Sequence, residues 1–539
     1  MSVYKSRFAP SPLALKVMNT GRIIGADEAP AAMVERVTDA LYREELTYST
    51  ITESEEFAEA FGQALDNKEI IMSTPVMTNI GRYADRPLTA CTMPAFDFST
   101  LRLKQLRQNI IALHEQGMGT GFNLNETDDP VSALDFLNKV AIDSANSGRE
   151  DRPVGNMAIL GVRHPQIYNF VNAKVESAAE WKFNISVDID RAFMTAVEAG
   201  SVVHLDNGQT IKARVLFDQI CRAALLCADP GIVFLDRMNA RNPVPGLGAY
   251  QTTAPCAEVG LIPGETCQFG YINVGEFVYT SDTGRVAVNL PWLEHTTKIL
   301  TRALDNCLEI SGKNFAKTHS GHVLAQKRKI GIGLCGVADA LDFVGLAYDS
   351  DAARSLMEDI LSFINITSKE ESIRLAEQRG PFGAMLTTIA GNRHRENPGH
   401  IQRMYGHLES STVSGHDWCE LSRYVADTGM LRNVSTIALP PTGRSALIID
   451  ASTGIEPHFK DATRISVSGH IGMASALQRY TDEAISKTIN LPSCSTVDDV
   501  RTVYLAGYEA GLSGVTVYVN GTNPAQPKEL THNDRKVAS

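Results

Sequence analysis

The chain has 539 residues, of which 43% are hydrophobic and 21% charged, and its formal net charge is −12. That length calls for a large core or several domains. The acidic balance argues against broad nucleic-acid binding, and no apolar run is long enough to span a bilayer. The opening segment, MSVYKSRFAPSPLALKV, has neither the apolar core nor the cleavage signal of an export peptide. A reducing cytoplasm is therefore expected, where nine scattered cysteines do not make a disulfide framework and a functional disulfide would be catalytic.

Residues 1–85 read as a mainly helical segment. AAMVERVTDALYREEL and SEEFAEAFGQALDN carry apolar residues at helical spacing, with Ser54 as the expected N-cap of the second. Pro75, Gly81 and Pro87 then break the period, and Cys91 ends a short apolar run at or near a strand. A helix is expected around Leu101–Glu115, and after it comes GMGTGFNLNE. Its alternating Gly117, Gly119 and Gly121 permit a ligand to approach the backbone closely, yet the βαβ context of a dinucleotide fingerprint is missing. PVSALDFLNKVAIDSAN is a further helix, and Asn184-Ile-Ser-Val187 precedes a helix pair. DPGIVFLDRMNARNPVPGLG reads as a strand followed by a Pro/Gly loop. Helices at about 291–311, 351–378 and 472–487 alternate with short apolar runs. TVDDVRTVYLAGYEAGLSGVTVYVNG ends the pattern as helix, glycine stop and strand. This alternation predicts one large α/β domain over residues 86–520, in the form of a barrel, and a flexible polar tail over 521–539.

The stretch Gln251–Val278 holds Cys256 and Cys267, eleven residues apart, with Glu258 two residues beyond the first cysteine. The spacing fits no zinc pattern, so no metal is expected. Two buried structural cysteines remain one reading, and radical or acid–base chemistry on a Gly/Pro-bent loop is the other. Cys221, Cys227 and Cys307 fall in helical patterns and read as core residues, as do Cys335 and Cys419.

Eight stretches resemble, in order, those of ribonucleotide reductase catalytic subunits, most of all the adenosylcobalamin-dependent class. They are PVGNMAILGVRHPQIYNFVNAK, FNISVDIDRAFM, ADPGIVFLDRMNARNPVPGLG, APCAEVGLIPGETCQFGYINV, IGIGLCGVADAL, PPTGRSALIIDASTGIEPHF, AISKTINLP and GLSGVTVY. The resemblance implies a ten-stranded α/β barrel with a finger loop inside it. It makes Cys256 the thiyl-radical carrier, Glu258 the general base for the ribose 3′-hydroxyl, and Cys91 with Cys267 the dithiol that closes to a disulfide. Substrate contacts are implied at Thr74, Ala90 and Ala254, and at the phosphate loop Pro441, Thr442, Gly443, Arg444 and Ser445. The implied partners are a ribonucleoside di- or triphosphate, a nucleotide effector, a thioredoxin-like or small-thiol reductant and a second copy of the chain. An effector site is expected near Ser144–Gly155.

Three departures stand out. The family's finger reads Asn-Pro-Cys-Gly-Glu, whereas here it is Ala254-Pro255-Cys256-Ala257-Glu258. The phosphate loop continues Arg444-Ser445-Ala446 rather than Thr-Ile-Ser, and the tail carries no cysteine pair. The single tyrosine of Thr516-Val517-Tyr518 resembles the cobalamin class rather than the class fed by a radical-generating subunit, and Tyr518 itself reads as structural. Other readings kept open are a divergent radical enzyme without net reduction, a subunit needing a metal-containing partner, and a silent nucleotide-binding paralogue.

Overall fold

The computed structural model describes residues 2–95, 103–149, 154–175, 181–315, 318–389, 392–395, 399–462 and 464–520. The expected 521–539 tail and residues 150–153 of the expected effector segment lie outside them.

Near the N-terminus, helices Pro12–Thr20, Pro30–Glu45 and Ile51–Asp66 precede a strand, Ile70–Met72. The third helix starts earlier than its apolar pattern suggests. Thr50, not Ser54, is its cap, because Thr50 and Glu53 satisfy each other's backbone N–H groups in a capping box. Ser54 instead lies buried within the helix, donating to the Thr50 carbonyl at 2.8 Å. The strand and these helices share one buried cluster with the smaller sheet described next, so the first 85 residues pack into the main body.

The larger sheet runs, in spatial order, Thr266–Cys267, Cys91–Thr92, Gly119–Asn123, Asn156–Gly161, Asn184–Asp188, Gly231–Val233, Gly514–Val519 and Thr488–Leu491. From Cys91–Thr92 to Gly231–Val233 every pairing is parallel. Gly514–Val519 turns antiparallel to Gly231–Val233 and parallel to Thr488–Leu491. In the smaller sheet Phe269–Asn273 lies between antiparallel Ile70–Met72 and parallel Gly331–Cys335. Single parallel bridges, Ile332 to Ile437 and Leu439 to Ile485, carry the pairing onward.

Side-chain alternation sets the two faces of this sheet. Ala158, Leu160 and Ile232 join the cluster under the outer helices, whereas Met157, Ile159 and Val233 face an inner cluster with Ala257 and Ile262. The inner face thus packs on the Gln251–Val278 stretch. The helix expected at 472–487 is displaced to Val467–Arg479, leaving Glu483, Ile485 and Lys487 outside any helix. Between the strand Gly231–Val233 and the Pro/Gly loop, Leu235–Ala240 forms a short helix. Among the described residues no helix is long and apolar enough to cross a membrane.

Candidate active site

The strands Thr252–Thr253 and Gly260–Leu261 pair antiparallel, Thr253 opposite Gly260, and make a hairpin whose tip is residues 254–259. Within the tip Ala257 N–H donates to Ala254 C=O at 2.9 Å, and Ala254 N–H donates to Val259 C=O at 3.0 Å. Ala257 sits at φ 65°, a left-handed conformation that costs a residue with a Cβ roughly 1–2 kcal/mol. This tight turn leaves Cys256 exposed while Ala254 and Glu258 are buried.

The glycines at 119 and 121 explain how the hairpin reaches the interior. A Cβ on Gly121 would lie 2.4 Å from Thr253 C=O, and one on Gly119 would lie 3.2 Å from Pro255 Cγ. Gly155 faces Pro255 in the same way, at 3.1 Å. The close backbone approach expected of this motif is therefore made by the chain's own hairpin rather than by a ligand. Asn184 Nδ2 donates to Pro255 C=O at 3.0 Å and holds the tip laterally.

Glu258 is fully enclosed, and burial pushes its carboxyl up to about 7, against a smaller opposing effect of the Glu258 and Cys256 backbone N–H groups. Among the described residues its Oε2 has no hydrogen-bond partner. The Glu258 carbonyl accepts from Ala484 N–H at 2.9 Å, which fixes the backbone at this position.

Cys91 and Cys267 are direct cross-strand partners in the antiparallel ladder between their strands. Cys267 Sγ lies 3.7 Å from the Cys91 carbonyl. Directly opposed residues in such a ladder have Cα atoms about 4.5–5.5 Å apart, inside the range of roughly 4.4–6.8 Å a disulfide spans. A Cβ on Gly119 would be 3.5 Å from Cys91 Sγ as well as near Pro255, so the pair adjoins the fingertip. Ala90 C=O accepts from Gly119 N–H at 2.9 Å and seats this edge.

Pro441–Ser445 forms a turn into the short helix Arg444–Ile448. Gly443 adopts φ 49° and ψ −122°, a backbone conformation that side chains rarely allow. Thr442 Oγ1 accepts from Gly454 N–H at 2.8 Å, and Ser445 Oγ meets Thr74 Oγ1 at 3.4 Å. The structure thus brings Thr74 to this turn from the other end of the chain. Thr442 and Ser445 are buried, whereas Arg444 is exposed.

A cavity of about 520 Å³ reaches Pro255, Cys256 and Ala257. Asn184, Ser186, Thr488, Asn490 and Thr516 supply polar groups to its wall, and Tyr518, read from sequence as structural, lines it too. Cys91, Cys267 and Glu258 lie off this lining. Sequence reasoning missed Lys487 and Glu456, which form an ion pair on the cavity wall, with Thr488 N–H also donating to Glu456 at 3.2 Å. The signal was a single lysine and a single glutamate in runs with no other acidic or basic side chain but His458, AISKTINLP and STGIEPHF. Burial lowers the Lys487 ammonium, which Glu456 opposes. Of the remaining cysteines, Cys221, Cys307 and Cys335 are buried, while Cys227 and Cys419 are only half-buried.

Residues 117–463 and 457–518 match the family model described as ribonucleotide reductase, barrel domain. The chain is 32% identical to the vitamin B12-dependent ribonucleoside-diphosphate reductase of Mycobacterium tuberculosis, over 88% of this chain and 73% of that protein. It is 29% identical to the protein of the same name from Thermoplasma acidophilum, over 88% of this chain and 66% of that one. The vitamin B12-dependent ribonucleotide reductase of Streptomyces clavuligerus is 23% identical, over 89% of this chain and 61% of its own length. With a family match extending over most of its length, this chain belongs to the ribonucleotide reductases.

Proposed function

We propose that the chain reduces ribonucleoside diphosphates to 2′-deoxyribonucleotides by thiyl-radical chemistry, with adenosylcobalamin as the radical source. The observation that carries this reading is one hairpin tip presenting an exposed thiol, Cys256, two residues from an enclosed carboxyl that titrates at about 7. Its relatives' names supply the cofactor and the diphosphate.

Only Gln268 separates Thr266–Cys267 from Phe269–Asn273, so the two sheets share one chain segment. Followed through the two single bridges, the pairings make a circuit of ten segments, which supports a closed ten-stranded barrel around the finger. The barrel occupies residues 86–520, preceded by the helical segment 1–85.

The residues on the cavity wall suit the proposed cofactor, which carries a nucleoside. Asn184, Ser186, Thr488, Asn490 and Thr516 offer amide and hydroxyl groups to its ribose and base, with the Cys256 thiol at the same wall. When bound, the cofactor supplies an unpaired electron by homolysis of its cobalt–carbon bond. As a thiyl, Cys256 takes the hydrogen from C3′ of the substrate ribose. Glu258 in its carboxylate form removes the 3′-hydroxyl proton; a base titrating near the working pH combines availability with driving force. A thiol of the Cys91–Cys267 pair protonates the 2′-hydroxyl, which leaves as water; the pair then delivers two electrons and its second proton and closes to a disulfide, Glu258 returns its proton to the 3′-oxygen, Cys256 returns its hydrogen to C3′, and an external dithiol reopens the disulfide. Thr442, Gly443 and Ser445, with Thr74, receive the diphosphate, where backbone N–H groups at the turn favour an anion. Arg444 adds charge at its edge. A homodimer with a nucleotide effector site completes the proposal.

The test is incubation with adenosylcobalamin, a dithiol and each ribonucleoside diphosphate. Deoxynucleotide should form, and Cys256→Ala should make none. Wild-type product no higher than in that variant overturns the proposal.

A further inference from the structure

Tyr250 leads into the finger and lays its ring on Gly260, where a Cβ would fall 2.6 Å from a ring carbon. It shares the inner buried cluster with Ala257, the residue after Cys256. Two buried lysines sit over this ring, Lys327 Nζ at 4.8 Å and Lys329 Nζ at 4.6 Å from its centroid. Lys329 pairs with Glu265 and Glu483, each at 2.9 Å, and donates to Gly260 C=O at 2.9 Å. Lys327 pairs with Glu265 at 2.6 Å. Among the described residues the phenol oxygen meets only Lys329 Nζ, at 3.4 Å. An ammonium has no lone pair, so it cannot take the phenol proton. Burial and the Glu483 carboxylate hold that proton on.

We infer that Lys327 and Lys329 keep Tyr250 redox-silent, so that a radical on Cys256 is not lost to the tyrosine beside its finger. The inference rests on the thiyl chemistry proposed above. The side reaction held off is a proton-coupled electron transfer through the finger: the Tyr250 O–H bond breaks, its electron reduces the Cys256 thiyl to a thiolate, its proton passes to a carboxylate freed of its lysine, and a phenoxyl radical remains on Tyr250. No other reactant is consumed. Losing an electron from a ring under two cations is opposed by their field, and losing it with the proton needs an acceptor that the phenol lacks. Burial lowers the Lys327 ammonium to about 8, so at neutral pH both lysines are charged and the box of Lys327, Lys329, Glu265 and Glu483 is neutral overall. The groups closest over the ring are nevertheless the two positive ones.

The experiment uses the full chain with adenosylcobalamin and a ribonucleoside diphosphate, freeze-quenched for electron paramagnetic resonance. Lys329→Met and Lys327→Met are compared with wild type, with Lys329→Arg, and with each lysine variant carrying Tyr250→Phe. Removing one cation should raise a tyrosyl signal by roughly tenfold or more. That signal should vanish with Tyr250→Phe and stay low in Lys329→Arg. Lys327→Met breaks fewer contacts and carries the comparison where Lys329→Met fails to fold. Exchange of the adenosyl 5′-hydrogens, read in the same samples, reports thiyl formation separately. Exchange without a tyrosyl signal in either lysine variant, or a signal that survives Tyr250→Phe, overturns this inference alone. Wild type without exchange overturns the proposed function as well.

Discussion

Glu258 has one carboxylate oxygen unpartnered among the described residues, and its proton is held to about pH 7. Two measurable effects follow from that one burial. The carboxylate form is the base, so kcat/KM should rise with pH through an apparent value of about 7, and a profile flat from pH 5.5 to 8.5 would remove Glu258 from that role. The stability effect has the opposite sign. The folded value lies above the unfolded 4.5, so the folded state loses stability as pH rises from about 4.5 to about 7 and stays lowered above. Glu258→Gln should therefore abolish turnover yet raise unfolding free energy at pH 8 by on the order of 3 kcal/mol, measured by denaturant titration. Sequence showed the spacing of Cys256 and Glu258 but not this tuning, which depends on Ala484 and the inner cluster closing over the finger.

At the scale of elements, the hairpin and the Gly119–Asn123 strand are complementary shapes. Gly121→Ala puts a methyl 2.4 Å from Thr253 C=O, a backbone atom that cannot move alone. It should cost about 1–3 kcal/mol by overpacking, and displacing the finger should lower kcat about a hundredfold. The register of Cys91 with Cys267 makes a second expectation. A mild thiol oxidant applied to Cys256→Ala protein should yield a Cys91–Cys267 disulfide in peptide mass mapping; mixed or absent disulfides would argue against the pair. The alternating glycines were legible from sequence, but their partner was not, because a missing side chain does not say what fills its place. The Ser54 cap failed for a related reason, since apolar periodicity begins a turn after the backbone becomes helical. The cysteine pair came from resemblance alone, as residues 176 apart disclose no ladder register.

Across the whole molecule, buried charges tie the N-terminal helices to later segments of the chain. Arg379 reaches Glu45 at 2.7 Å and Asp305 at 3.1 Å, and Asp305 also takes Arg328 at 2.6 Å and Arg432 at 3.2 Å. Asp305→Ala would remove the buried carboxylate that three guanidinium groups share, leaving Arg379 to Glu45 and Arg328 and Arg432 to Glu309, so it should lose about 3 kcal/mol in chemical denaturation. Nothing in the sequence paired these residues, which come from five separate segments. Asp482, held by Lys369 at 2.7 Å and by the backbone N–H groups of Thr436 and Ile437, is lowered to about 2. Its folded value lies below its unfolded 3.8, so its contribution is present above that pH and is lost as pH falls toward 2. Acid unfolding should steepen in that interval, and Asp482→Asn should flatten it.

The ladder between Cys91–Thr92 and Thr266–Cys267 is only two residues long, and it is the join between the larger sheet and the chain that continues into the smaller one. Mechanically it is the wall's seam. On the proposed chemistry, each turnover rivets that seam with a covalent bond and each re-reduction releases it. The stiffness of the wall around the finger would then oscillate with the electron count of the protein, and hydrogen exchange at Thr92 and Thr266 would serve as a gauge of its redox state.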